Sequence, residues 1–265
     1  MQLVRYDRSV RLLGKSLALI AAVAGLAAGQ QPPEKMVLTF TEIKPEKIHE
    51  FNAVRKEWSA ALKKGGASWA RFWNPGAIGP AYVHAQVTPI AGFAAFDGPS
   101  PLRRALSDTE FERLMARMRE CTVSVRREVI EPIPDLGFRG DGAADAKLAM
   151  IVEITTHPGK RYAFLDLVRQ EIMPALRKAR VSSFQTYQVL AGANAERIFG
   201  VIGMPNYAAL DGGNFLEQAL GPDGARKLNE KYSGIAMSVS RVVLQLNSDM
   251  SFGAPTAAAA VSGSR

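Results

Sequence analysis

Hydrophobic positions along the chain change between a period of two and a period of three to four, and the same order of changes occurs twice. Alternating β-branched stretches predict strands, and amphipathic stretches bounded by Pro and Gly predict helices. In the first half, the first helix begins near Pro45 and ends at Gly65. The predicted elements of this half are a strand at 35–43, a helix at 45–66, strands at 67–73 and 81–87, a helix around 111–125 and a closing strand at 127–133.

The second half repeats this order. Its first helix contains Pro174 inside the apolar pattern, which predicts a kink because proline removes a helical hydrogen bond. Each half therefore has the order β-α-β-β-α-β, which is the ferredoxin-like unit. The predicted elements here are a strand at 147–155, a helix at 158–179, strands at 182–189 and 197–204, a helix at 222–233 and a strand at 240–246.

A repeated motif indicates an internal duplication. FAAFDGPSPLRRAL begins at Phe93 and YAALDGGNFLEQAL begins at Tyr207, 114 positions later, and about sixteen identities share this ungapped frame over residues 81–138. Asp97 and Asp211 lie in the two copies and are predicted to be structural turn and cap residues. The resulting domain prediction is a ferredoxin-like repeat at 30–140, a second at 141–252 and a disordered tail at 253–265.

The N-terminus predicts export from the cytoplasm. Four basic residues precede the apolar stretch LALIAAVAGLAA at 17–28, and small residues follow, which together are typical of a Sec-type signal peptide cleaved after Gly29. The expected location is periplasmic or secreted, with no stable membrane span after cleavage; an uncleaved anchor helix is the alternative. Removing residues 1–29 lowers the net charge from +8 to +5, and no Lys/Arg run contains interleaved aromatic residues. A nucleic-acid partner is therefore not expected.

The second half resembles a known family. After a strand that carries Glu near its end, PGK at 158–160, FL at 164–165 and PALRK at 174–178 are similar to NIPSNAP-type members of the dimeric α/β-barrel superfamily. The resemblance covers about one repeat, 148–246. The first half departs from it, with PEK at 45–47 and AALKK at 60–64.

The resemblance implies an α+β fold in which two tandem ferredoxin-like βαββαβ repeats pack as a dimeric-α/β-barrel-like unit, with a cavity between the two sheets. It does not imply one chemistry, because the superfamily includes cofactor-free monooxygenases, haem-degrading enzymes, lyases and proteins of unknown role. The resemblance leaves open whether this unit also forms a homo-oligomer. The expected cofactor is none, with haem as the alternative.

The candidate site is on the third strand of the first half. Strand alternation puts Tyr82, His84 and Gln86 on one face, which we expect to look into the cavity, and Val83, Ala85 and Val87 under the helices. In the preceding strand Trp69, Arg71 and Trp73 share one face, although periodicity alone does not say which. The hypothesis is a pocket for a flat apolar or aromatic molecule, with Tyr82, Trp69, Arg71, Trp73 and Gln86 binding the ligand and His84 as a general base or haem ligand.

The alternative is that these side chains fill a core or surround the barrel mouth. At an offset of 114, Ile198 corresponds to His84 and Glu196 to Tyr82, so a single site would belong to the first half. The three histidines have no metal-ligand spacing, and no metal site is predicted. The lone Cys121 lies on an apolar helical stripe and is predicted to be a buried thiol.

Two carboxylates are predicted to be structural. Glu42 and Glu153 lie late in the first strand of each half, and their expected partners are Arg127 and Arg241 in the closing strands. The alternative is that these carboxylates act as a pair in acid–base catalysis. For function, the sequence favours an exported protein that binds a small molecule between the sheets. The alternatives are a cofactor-free oxygenase-like or haem-dependent enzyme and a non-catalytic interaction module.

Overall fold

The computed structural model describes residues 34–143 and 146–254. The predicted signal peptide at 1–29 lies outside the described residues, as does most of the predicted tail. Within the described part of the chain, no helix combines the length and apolarity that a membrane crossing requires.

The elements follow the order that the sequence predicts. In the first half they are β1 (Lys35–Ile43), α1 (Ile48–Lys64), β2 (Arg71–Pro75), β3 (Val83–Ile90), α2 (Pro101–Ala105), α3 (Asp108–Cys121) and β4 (Thr122–Arg139). In the second half they are β5 (Leu148–Thr156), α4 (Arg161–Leu167), a π-helical turn (Val168–Ile172), α5 (Met173–Lys178), β6 (Ser183–Ala191), β7 (Arg197–Met204), α6 (Phe215–Ser233) and β8 (Ala236–Leu246).

The eight strands form one closed barrel in which every neighbouring pair is antiparallel. The order around the barrel is β1-β3-β2-β8-β5-β7-β6-β4. The first four strands therefore have the order β4-β1-β3-β2 and the last four the corresponding order β8-β5-β7-β6. Two pairings close the barrel between these groups. One joins β2 to β8 near Trp73 and Leu246, and the other joins the long β4 to β6.

Three layers of apolar side chains hold this arrangement together. The barrel interior receives residues from both halves, including Leu38, Ala85, Ile130, Phe199 and Leu244. One outer core lies between the helices and strands of the second half, and a smaller one lies between α1, α2 and β2. The opposite strands therefore bury the inward face of each four-stranded group, and the helices cover part of its outer face, where Val125 of β4 and Val239 of β8 remain exposed.

The predicted kink at Pro174 takes a specific form. Five residues, Val168–Ile172, make a π-helical turn, and the N–H of Met173 bonds to the carbonyl of Val168. Pro174 then lies in the first turn of α5, where its missing N–H is tolerated. The extra residue of the π turn allows both Val168 and Leu176 to reach the outer core.

The repeated Asp-Gly segments are turns. Asp97 ends a 3₁₀ turn at Phe93–Phe96, and Asp211 ends the corresponding turn at Tyr207–Leu210. Both aspartates are exposed. The caps of the following helices are supplied a few residues later: Ser100 accepts from Arg103, and Asn214 accepts from Leu216. The turn placement agrees with the prediction, whereas the helix-cap role belongs to these later residues.

Candidate functional site

A cavity of about 410 Å³ lies between the strand groups, at the barrel end where β1 ends and β4 begins. We call it the barrel-end cavity. Its apolar lining includes Phe40, Val83, Ile151 and Val242, and its polar lining consists of Glu42, Ser124, Arg126, Glu153 and Ser240. The exposed residues Ile78 and Pro80 of the β2–β3 loop also border it.

Four charged side chains form a cluster across the barrel interior beside this cavity. Arg126 Nη2 lies 2.9 Å from Glu153 Oε2, and its Nε lies 3.2 Å from Glu128 Oε1. Arg197 Nη1 lies 2.6 Å from the same Glu128 oxygen, and its Nε lies 3.1 Å from Glu153 Oε1. Since β4 and β5 are not neighbours around the barrel, these ion pairs cross its lumen. The charges of the two guanidinium groups and the two carboxylates sum to zero.

Burial differs within the cluster. The Glu128 side chain is fully buried, and its Oε2 has no hydrogen-bond partner among the described residues. Burial raises the pKa of Glu128, while the nearby Arg126 and Arg197 act in the opposite direction. Arg126 is less buried, and its guanidinium lies 4.6 Å from the ring centre of Phe40, in cation–π contact.

Glu42 is the lining carboxylate outside this cluster. It is exposed, and Ser124 Oγ donates a hydrogen bond of 3.0 Å to its Oε2. In the strand register it lies opposite Val83 in β3 and Ser124 in β4. Within residues 34–143 and 146–254 it has no ion-pair partner.

The predicted pairing of the two equivalent carboxylates is wrong. Glu153 pairs with Arg126 and Arg197, whereas Arg127 and Arg241 are exposed on the outer face. The register explains the error: β5 begins and ends 113 positions after β1, so Thr155 corresponds to Glu42, and Phe40 to Glu153. Since side chains alternate along a strand, Arg126 points inward and Arg127 points outward.

His84 lies on the face opposite to the predicted one. It is 4% exposed and packs under α1, with its ring centre 4.9 Å from that of Phe51. Its neighbours Val83, Ala85 and Val87 face the barrel interior instead. These three side chains add to the apolar interior core, whereas the imidazole of His84 has a hydrogen-bonding partner below the helix. The catalytic role of His84 stays a prediction, and neither cavity described in this subsection contains it.

The partner of His84 is a buried arginine. Arg55 Nη1 lies 2.9 Å from His84 Nδ1 and donates 2.9 Å to Asn74 Oδ1, while Nη2 donates 3.3 Å to the Trp73 carbonyl. Arg55 cannot be an acceptor, so the neutral ring carries its proton on Nε2. Burial, together with the Arg55 charge, lowers the pKa of His84 to about 3, and burial lowers the pKa of Arg55 to about 10.

The other predicted ligand-binding residues are not brought together. Trp69 and Trp73 pack with the barrel interior, and Trp69 Nε1 donates 3.2 Å to Glu34. Arg71 Nη1 donates 2.8 Å to the Phe252 carbonyl, which fixes the chain beyond β8. Tyr82 is 40% exposed, and Gln86 is on the same strand face as His84. The binding roles of these residues stay predictions, but none of them lines the barrel-end cavity.

A second, smaller cavity of about 90 Å³ lies between the sheet and the helices of the second half. Its lining is mostly apolar, with Phe164, Phe184 and Ile198 among its walls. Thr186 is among its lining residues and is only 1% exposed, and its hydroxyl has no hydrogen-bond partner within residues 34–143 and 146–254. Burial raises the pKa of Tyr232, another lining residue, to about 12, so its hydroxyl is protonated.

Neither cavity fits haem. Haem iron takes an axial imidazole, thiolate, thioether or phenolate donor inside a space that holds the porphyrin. The barrel-end cavity has none of these donors in its lining, and the smaller cavity, which includes Tyr232, is too small for the macrocycle. His84 is enclosed by Phe51 and Arg55. Across the described residues, no group of three acidic, histidine or cysteine side chains forms a metal site.

No model of a known protein family matches the sequence, and no curated protein matches it either. Solved structures do match. An anthrone oxidase-like protein gives a TM-score of 0.58 at 11% identity, over 82% of this chain and 92% of that chain. A proposed monooxygenase from Lactobacillus acidophilus NCFM gives 0.52 at 10% identity, over 84% of this chain and 100% of that chain. A chlorite dismutase variant from Candidatus Nitrospira defluvii gives 0.51 at 8% identity, over 83% and 93%.

These likenesses concern the fold. The chain has a mixed α+β fold with a closed eight-stranded barrel, and its structural neighbours are of the dimeric α/β-barrel type, as the resemblance implied. The narrower NIPSNAP resemblance stays a prediction. At these identities the superpositions say nothing about the reaction or ligand of this chain.

Sequence reasoning singled out Glu42 and Glu153 but missed Arg126, which also lines the larger cavity, and the neighbouring cluster residues Glu128 and Arg197. Arg126 and Glu128 on β4 and Arg197 on β7 are charged residues in strands whose remaining pattern is typical of partial burial. One signal was available: Glu128 lies in the apolar part of a strand whose neighbours Val129 and Ile130 are buried. A charged residue inside such a stretch needs a partner of opposite charge, which is a reason to search for a buried pair.

Proposed function

We propose that this protein binds a small molecule with an apolar or aromatic body in the barrel-end cavity, between the two groups of strands. The observation that carries the proposal is the cavity itself, since an interior otherwise filled by side chains leaves about 410 Å³ open at one end. Ligand pockets of proteins span roughly 300–1,000 Å³ and combine apolar walls with a few placed polar groups. Phe40, Val83 and Ile151 supply such walls, and Glu42 and Ser240 supply polar groups.

The proposed origin of the cavity is a duplicated ferredoxin-like unit of the NIPSNAP type. The matching strand orders, the 113-position offset of β1 and β5, and the 114-position offset of the Asp-Gly segments support it. We place the protein outside the cytoplasm because residues 1–29 have the pattern of a Sec-type signal peptide. A homo-oligomer of this unit is compatible with the proposal and is not required by it.

Two adjacent positions on β8 test the binding site. Ser240 lines the cavity, whereas Val239 is 38% exposed on the outer face. Ser240→Trp should fill the cavity, and Val239→Trp adds a similar bulk outside it. In ligand-observed NMR with a panel of aromatic fragments, the wild type and Val239→Trp should bind the same fragments, and Ser240→Trp should bind none. Equal binding by a folded Ser240→Trp variant would place the ligand elsewhere.

The second candidate function is a cofactor-free oxygenase-like activity in the smaller cavity of the second half. One observation favours it: Thr186 lines this apolar space, and its buried hydroxyl has no partner in the described part of the chain, so a bound molecule would supply its missing hydrogen bond. The neighbours described as an anthrone oxidase-like protein and a proposed monooxygenase lead to this idea.

Oxygen uptake tests this candidate, with the single-ring hydroquinone as the probe substrate, because a cavity of about 90 Å³ does not hold a larger molecule. The wild type and Ser240→Trp should consume oxygen at the same rate, because Ser240 is not in the smaller cavity. Thr186→Val keeps the shape and removes the hydroxyl, so uptake should fall while the folded structure persists. Absence of uptake by the wild type, or unchanged uptake by Thr186→Val, would argue against it.

A further inference from the structure

The charged side chains around the barrel-end cavity differ in whether they are already engaged in ion pairs or are available to a ligand. Arg126 is engaged by both oxygens of Glu153 and by Glu128, and its planar face lies against Phe40. Arg197 contacts the same two carboxylates. The four groups are neutral together, so the cluster offers no free cation to an anionic ligand. An incoming carboxylate or phosphate would have to displace Glu153 from a bidentate pair, which is among the stronger kinds of ion pair.

Glu42 is not part of this neutral cluster. It lines the same cavity, and its side chain contact is the Ser124 hydroxyl at 3.0 Å, which reaches one of its two oxygens. The residue directly across on β3 is Val83, an apolar side chain that leaves space beside the carboxylate. Within the described residues, the cavity therefore carries one unbalanced negative charge next to apolar walls.

We infer that the ligand of this cavity is an organic cation, an ammonium or guanidinium group attached to an apolar or aromatic body. The inference rests on the proposed function. The cationic nitrogen would donate to the free oxygen of Glu42, and the body would lie against Phe40, Val83 and Ile151. A charge-assisted hydrogen bond to a carboxylate is about twice as strong as a neutral one, which gives the cation its advantage over a neutral molecule of the same shape.

The chain provides a natural blocking variant. Arg197, 114 positions after Val83, shows that this strand position accepts an inward arginine in the second half. Directly opposite positions on antiparallel strands have Cβ atoms about 4.5–5.5 Å apart, so opposite charges there interact. Val83→Arg should therefore place a guanidinium beside Glu42, where it would compete with a ligand cation.

The test uses four probes that share a phenyl body: 2-phenylethylamine, phenylguanidine, the neutral 2-phenylethanol and the anion 3-phenylpropionate. Affinities are measured by NMR titration at low salt. For the wild type we expect the two cations to bind about tenfold more tightly than the alcohol, and the anion most weakly. Glu42→Gln should reduce the cation advantage to within about twofold and leave alcohol binding unchanged. Val83→Arg should abolish binding of both cations.

The control is Glu46→Gln, which removes an exposed carboxylate outside the cavity and should change nothing. Equal binding of cation, alcohol and anion, or a cation advantage that survives Glu42→Gln, would overturn the inference while leaving the barrel-end site in place. If none of the four probes binds the wild type and fragment binding is also insensitive to Ser240→Trp, the site itself is wrong, and the inference falls with it.

Discussion

Among single residues, the buried pair of Arg55 and His84 is the least expected. Arg55 is only 4% exposed and, among the residues that the structure describes, has no carboxylate partner. Its contacts are Asn74, the Trp73 carbonyl, His84 and the rings of Phe51 and Phe72. A protonated imidazole beside this guanidinium would add a second buried cation. His84 is therefore held neutral in the folded protein, which is what its lowered pKa expresses.

This state predicts a pH dependence of stability. The pKa of His84 falls from 6.5 in the unfolded chain to about 3 in the folded one. Between these values the unfolded state binds the extra proton, so the contribution is fully present above the higher pKa and is lost as the pH falls. The free energy of unfolding should then decrease by up to about 1.4 kcal/mol per pH unit from this group.

His84→Gln removes this dependence, because glutamine does not titrate and its carbonyl can still accept from Arg55. Urea unfolding at several pH values between 4 and 7 should show the variant losing less stability on acidification than the wild type. His157→Gln, at an exposed position, is the matched control and should follow the wild type. Parallel curves for His84→Gln and the wild type would show that His84 is not held neutral by folding.

Among the elements, the helical segment from α4 to α5 shows how a local irregularity serves packing. A π turn has one residue more than the corresponding α-helical turn, and it lets the helix accept Pro174 while Val168 and Leu176 both remain in the outer core. The sequence predicted a kink from the proline. The insertion was not readable, because it depends on which side chains must reach the sheet.

A deletion tests this account. Removing the exposed Gln170 together with Pro174→Ala should convert the segment into a regular α-helix with both ends in register, at a cost of about 1–2 kcal/mol, as for an ordinary substitution. Deleting the exposed Lys56 from the regular α1 should instead rotate the following residues by about 100° and prevent folding. Near-ultraviolet circular dichroism and urea unfolding measure both. Equal damage from the two deletions would contradict the π-turn interpretation.

For the whole molecule, closure of the barrel makes the two halves depend on each other. The interior core takes Leu38 and Ala85 from the first half and Phe199 and Leu244 from the second, and ion pairs from Arg126 and Glu128 cross to Glu153 and Arg197. Either half alone would expose its inward strand face, and an apolar surface of this kind is unstable in water.

Fragments 34–143 and 146–254 should therefore fail to fold as monomers when expressed separately, because each exposes half of the interior core. Mixed, they should form a one-to-one complex with the circular dichroism spectrum of the intact chain. Leu38→Asp, in the interior, should prevent recombination, whereas Val125→Asp, at a 48% exposed position, should not. Size-exclusion chromatography with light scattering measures the outcome. A monomeric fragment that unfolds cooperatively on its own would refute this dependence.

The sequence alone determined the order and the kind of the elements, because strand and helix periods are local properties of the chain. With the family resemblance it also indicated the barrel. The register of β5 differs only slightly from the one expected for β1, but this difference was enough for the sequence comparison to treat Glu42 and Glu153 as equivalent when they are not. Local periodicity predicts structure correctly where the environment of each residue is set by neighbours a few positions away along the chain.

The tertiary structure alone decided which strand face turns inward. A period of two separates Val83 from His84 but gives no direction, since helices bury one face of these strands and the opposite strands bury the other. The site followed from that choice: Arg126, Glu153 and Arg197 are far apart in sequence and meet only across the closed lumen. Such contacts are set by barrel closure, which no single strand encodes.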